Sequence, residues 1–146
     1  MRSTYITLPF HSMPRRLIVE LFYWDVFWIN IFPADAVISK SISPQYIINV
    51  LELDFHKNCK VEFVEYVQTH EQHDNSMEDW TIGALALCPN GNEQGGNYFK
   101  SLLTGRVLNQ RRWTPLTMAE NVKESVHCMA RYKKSVRSLI FNDCDN

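Results

Sequence analysis

Hydrophobic positions change their period twice along this chain, dividing it into three parts. The first part is helical. Ser12-Met13-Pro14 predicts a helix start, with a hydroxyl to cap the first turn and a proline where its missing N–H costs nothing. Leu17, Leu21, Trp24 and Trp28 follow at helical spacing, with Ile18, Phe22 and Ile29 on the adjoining rows. Asn30 and Pro33 close a helix of about residues 14–30. Only Glu20, Asp25 and the tip of Tyr23 call for water. The helix is therefore apolar over most of its circumference and expects partners on several sides. Asp35 to Ser41 reads as a loop. Ser43-Pro44 then opens a short second helix over about residues 44–50, again a cap followed by proline.

After Asp54 the period becomes two. Val61, Phe63 and Glu65 alternate with Glu62, Val64 and Tyr66, which predicts a half-buried strand over 60–69. His70 to Glu78 is a polar loop. Ile82 to Leu87 predicts a second strand, about 81–88, ended by Pro89-Asn90-Gly91-Asn92, and the turn chemistry continues through Gln94-Gly95-Gly96. A third strand over 97–102, a tight turn at Thr104-Gly105 and a fourth strand over 106–113 complete a small curled sheet or barrel. From Ala119 to about Lys134 the helical period returns, with Val122, Val126, Met129 and Ala130 on one face, before a polar tail from Phe141. The expected fold class is α+β: two helices in 1–55, a barrel in 56–118, and a helix with its tail in 119–146.

Composition is that of a globular chain: 146 residues, 45% hydrophobic and 21% charged. The net charge of −1 speaks against a strongly basic nucleic-acid binder, but it averages over an asymmetry. From Glu52 to Glu93 nine acidic side chains face two basic ones, Lys57 and Lys60. From Lys100 to Arg137 nine basic residues face Glu120 and Glu124. Such a split can set a basic face against a polyanion, or it can be two solvated faces that neutralise each other. Cys59, Cys88, Cys128 and Cys144 follow no framework spacing, which predicts reduced thiols and an intracellular setting, cytoplasm or nucleus. Met1 to Phe10 has no signal-peptide pattern. Leu17 to Phe32 is interrupted by Glu20 and Asp25 and is too short to span a bilayer, so no membrane partner is expected.

Four groups of residues could carry chemistry. His56-x-x-Cys59 and His70-x-x-His73 have zinc-like gaps, but a strand of about ten residues between them would hold the pairs apart. The aromatic run of Phe22, Tyr23, Trp24, Phe27, Trp28 and Phe32 reads as core. Arg131, Lys133, Lys134 and Arg137 suit a solvated helix end as well as a DNA-contacting patch. Arg106, Asn109, Gln110, Arg111 and Arg112, with Trp113 adjacent and Lys100 on the preceding strand, supply cations for phosphates and amides for bases or sugars. The alternative for this set is a solvated strand with Trp113 in the core.

The stretches YVQTHEQHDNSM, GALALCPNGNEQGGNYFKSLLTGRVLNQRRWTPLTM and VKESVH resemble the post-catalytic region of Copia-type retrotransposon Pol polyproteins. Upstream, LPFHSMPRRLIVEL, VFWINIFP and ISPQYI resemble the end of the integrase core in the same group, so the likeness runs from about Thr7 to Arg131. It implies two helices left from an RNase H-like core, followed by a small SH3-like barrel. In that family three carboxylates upstream of this region hold two divalent metals such as Mg, and no acidic residue here matches those positions. Glu20 and Asp25 fall on the later core helix. The resemblance therefore implies a catalytically incomplete integrase piece with no cofactor and no small-molecule substrate. It implies weak, nonspecific contact with a DNA or RNA backbone, and self-association through the aromatic helix 14–32; a barrel that binds protein instead is the alternative. Several positions depart from the family: Cys88 stands where an arginine is typical, Asn97 where an aromatic is, Thr117 and Ala119 replace prolines, and Asp79-Trp80 replaces a Pro-Arg pair. Losing a basic residue and an aromatic weakens an inherited nucleic-acid surface.

Overall fold

Pro14, not Ser12, sets the start of the long helix. In the computed structural model, which describes residues 2–32, 42–50, 52–70 and 81–132, a short helix α1 (Arg2–Thr7) precedes α2 (Arg15–Ile31). The N-cap is Pro14, with φ −58° and ψ 141° and no side-chain cap. Its carbonyl instead accepts from Leu17 N at 2.8 Å and Ile18 N at 3.3 Å. The hydroxyl expected to cap thus lies too far upstream, and the backbone itself closes the first turn. Ser43 behaves as its sequence suggests: its Oγ accepts from Tyr46 N at 3.2 Å and opens α3 (Pro44–Asn49), which ends on Val50 in the left-handed region. A single turn, α4 (Phe55–Asn58), follows.

Five antiparallel strands form one sheet: β1 (Tyr66–His70), β2 (Thr81–Pro89), β3 (Asn97–Ser101), β4 (Val107–Gln110) and β5 (Trp113–Pro115), in the order β4-β3-β2-β1-β5. Helix α5 (Glu120–Tyr132) closes the described chain, with Val122, Val126 and Ala130 buried at the spacing its sequence predicts.

Two expected strands are corrected. The strand expected over 60–69 begins only at Tyr66. Before it, Glu65 N donates to Glu62 O and Val64 takes φ +65°. This turn breaks the alternation, so Phe63 and Val64, adjacent in sequence, both enter the core shared with the helices, while Val61 enters the other one. The strand expected over 106–113 is two strands. After Gln110 the pair Arg111-Arg112 carries the chain from one edge of the sheet to the other, where β5 pairs with β1.

A two-residue link between opposite edges forces the sheet to curl. The inside of the curl holds Val61, Val67, Ala84, Ala86 and Phe99, with Trp113 tilted on Phe99 at 5.1 Å between ring centroids. The outside carries Leu85 and Leu87, which pack with Leu17, Leu21, Val122 and Val126 of the helices. The small residues of β2 therefore lie on its concave side and the large ones on its convex side. Between β4 and β5 the described residues form no ladder, so the sheet is not closed. The turn from β2 to β3 is tight against α4: Gly95 sits at φ +66°, and a Cβ there would lie 2.8 Å from Lys57 Cβ.

Of the loop expected over 70–78, His70 instead ends β1. The rest of it, the loop expected over 35–41, the Asp79-Trp80 pair and the chain beyond Tyr132 lie outside the described residues. Among the described residues no helix is long and apolar enough to cross a membrane.

Candidate nucleic-acid interface

The residues nominated from sequence do not form one cluster. Arg106 leads into β4 at the hairpin, where its carbonyl accepts from Ser101 N at 2.9 Å and its N–H donates to Thr104 Oγ1 at 3.3 Å. Arg111 leaves the other end of β4, five residues on and about 16 Å away along an extended chain. Lys100 pairs with Val107 and lies on the face that carries Leu85. It is only 3% exposed, which removes it from any surface a phosphate could reach. This corrects its place in the expected binding set.

Asn109 also has structural work. Its Oδ1 accepts from Asn90 Nδ2 at 3.3 Å, and Asn90 Oδ1 in turn accepts from Asn92 N and Gly96 N, both at 3.2 Å. The amide expected to read a base or sugar therefore ties β4 to the glycine-rich turn. Gln110 is half-buried beside Asn97.

Arg111 and Arg112 do converge on something. With Lys60, His70, Trp113 and Pro115 they line an open concavity of about 630 Å³. Two chain features assemble it. The β1–β5 register places Thr69 against Trp113, which brings His70, at the end of β1, beside the Arg111-Arg112 link. Lys60 arrives from the segment after α4. Among the described residues no carboxylate lines the concavity, and neither arginine makes an ion pair. Three permanent cations and an imidazole around one hollow favour an anion with several oxygens, and the guanidinium groups can each grip two of them.

Sequence reading missed Lys60 and His70 as members of this group. Lys60 looked like part of the acidic segment, and His70 like half of a metal pair. Their meeting with Arg111 and Arg112 is set by pairing between strands more than 40 residues apart in sequence, for which no local signal exists.

The zinc reading gains no support. His56 and Cys59 are exposed on and after α4, His73 lies outside the described residues, and the described residues contain no group of three or more ligands placed to hold a metal. Partial burial raises the Cys59 thiol above its ordinary value. Cys88 is pushed up to about 11 by burial and by the Glu20 carboxylate of α2. An arginine in its place would meet Glu20 as an ion-pair partner. The basic residues expected near the C-terminus are described only as far as Arg131, which is exposed in the last turn of α5.

Comparison with protein-family models, curated proteins and solved structures finds no match to this chain.

Proposed function

We propose that the chain is a catalytically incomplete part of a Copia-type retrotransposon integrase whose sheet module binds the backbone of nucleic acid without reading bases. The observation that carries the binding is the concavity of Lys60, His70, Arg111 and Arg112, which no carboxylate lines among the described residues. The integrase reading rests on the resemblance in sequence. The strand order, the curl and the two-residue link support an SH3-like small barrel, and the Glu20 carboxylate beside Cys88 fits a site that held an arginine in the parent family. On this reading α2 and α3 derive from an RNase H-like core, the carboxylates that would hold Mg are not among these residues, and the chain performs no strand transfer.

A second reading, a module that binds protein and not DNA, is favoured by the outer side of α2, where Phe22, Tyr23, Val26, Ile29 and Phe32 are all exposed. Salt separates the two. Duplex binding through three arginine or lysine contacts gives a slope of log K against log salt of about −3, and Arg111→Ala or Arg112→Ala lowers its magnitude by about one each. Absence of duplex binding at low salt would sink the nucleic-acid reading and leave the second one standing.

A further inference from the structure

On the other side of Lys60 lies a second hollow of opposite character. It has a volume of about 640 Å³ and is lined by Trp24 and Trp28 of α2, with Glu62 and Glu65 facing it from the turn before β1 and Cys59, Lys60 and Val61 completing the wall. The indoles are one helical turn apart and meet edge to face in a corner, with ring centroids 5.5 Å apart and planes at 69°. Each is held by a further ring: Trp24 by Phe63 at 5.8 Å, Trp28 by Phe32 at 6.1 Å. The Glu65 carboxylate is held as well, since its Oε2 accepts from Glu62 N at 2.9 Å.

Two indoles and two carboxylates, against the single ammonium of Lys60 on the rim, are complementary to a cation. The ring quadrupole attracts positive charge at its face, and the attraction is worth most for a cation that gives up little hydration. A plain ammonium is compact and strongly hydrated. A methylated one is larger, apolar on its surface and still charged. We infer that this corner binds the trimethyl-lysine side chain of a protein partner. The hollow is open to solvent, so a side chain can enter while its backbone lies across the surface. The inference does not depend on the nucleic-acid reading, because the two hollows share only Lys60.

The test titrates the full chain with a short peptide carrying one trimethyl-lysine, with the same peptide carrying unmodified lysine, and with its neutral tert-butyl isostere, following the indole N–H signals of Trp24 and Trp28 by NMR. The trimethylated peptide should shift both signals saturably. The isostere should bind about 5- to 30-fold more weakly, the fold-change a desolvated cation–π contact implies. Glu62→Gln, at an exposed position, should weaken binding several-fold, and Lys60→Gln should strengthen it by removing the like charge. A purely structural role for these two residues produces neither change. An isostere or an unmodified lysine that binds as tightly as the trimethylated peptide, or indole signals unmoved at millimolar peptide, would overturn the inference.

Discussion

Along β2 the side chains of Ala84, Leu85, Ala86 and Leu87 are all fully buried, whereas along α2 Val19, Phe22, Tyr23, Val26 and Ile29 remain 42–67% exposed. Both stretches are strongly apolar in sequence. The strand is covered twice, by helices on its convex face and by its own curl on the concave one. The helix is covered once, along the stripe of Leu17, Ile18, Leu21 and Ile31. An apolar run therefore says that burial is sought, and only the surrounding architecture says how much of it is found within the chain.

The sharpest way to break this contrast is to truncate both sides. Phe99→Ala, inside the curl and against Trp113, should lower the free energy of unfolding by about 3–5 kcal/mol in urea denaturation. Ile29→Ala on the open side of α2 should stay within about 0.5 kcal/mol of the parent. Equal losses would show that α2 is buried as deeply as the strand.

Cys88 probes the seam between the two regions. With its thiol held at about 11 against an ordinary 9.0, the folded protein should be alkylated at Cys88 roughly 100-fold more slowly at pH 8 than the unfolded chain, because only thiolate reacts. The sign for stability follows. The folded state keeps the proton that the unfolded chain releases above 9, so any contribution from Cys88 is lost as pH rises from about 9 towards 11. Glu20→Gln should speed the alkylation; an unchanged rate would remove Glu20 as a cause.

Gly95→Ala tests the join between the sheet's turn and α4. Positive φ and the approach to Lys57 Cβ together predict a loss of about 1–3 kcal/mol, while the same substitution at Gly105, also at positive φ but with open space around it, should cost less. A gain in stability from Gly95→Ala would disprove the close packing. The smallest effect on stability, and the largest on behaviour, is expected from Val26→Lys with Ile29→Lys. Unfolding should change by no more than about 0.5 kcal/mol, while self-association, read by sedimentation, should fall.

The legible parts of the fold are those governed by local rules. Ser43-Pro44 starts α3 because a hydroxyl and a proline satisfy the first turn wherever they occur, and Val122, Val126 and Ala130 mark the inner face of α5 by spacing alone. Rules of that kind fail between Val61 and Tyr66, where a left-handed Val64 places two consecutive side chains in one core. They fail again at Arg111-Arg112, where nothing in the local pattern separates a continuing strand from a passage between edges. The candidate site divides along the same line. The arginines stood out in the sequence, whereas the burial of Lys100, the tie from Asn109 to Asn90 and the arrival of Lys60 and His70 all depend on contacts distant in sequence.

By itself, the sequence determined the α+β class, the helices α2, α3 and α5, the strands β2 and β3, and the presence of cations near the end of the sheet, because side-chain period and turn chemistry act over a few residues. It missed α1, α4 and the division of β4 from β5. Tertiary structure alone decided which cations share a hollow, which face of α2 is covered, and that Trp24 and Trp28 meet Glu62 and Glu65. The shared hollow of cations follows from joining the sheet's two edges through only two residues, and the meeting of the indoles with the glutamates from the turn at Val64.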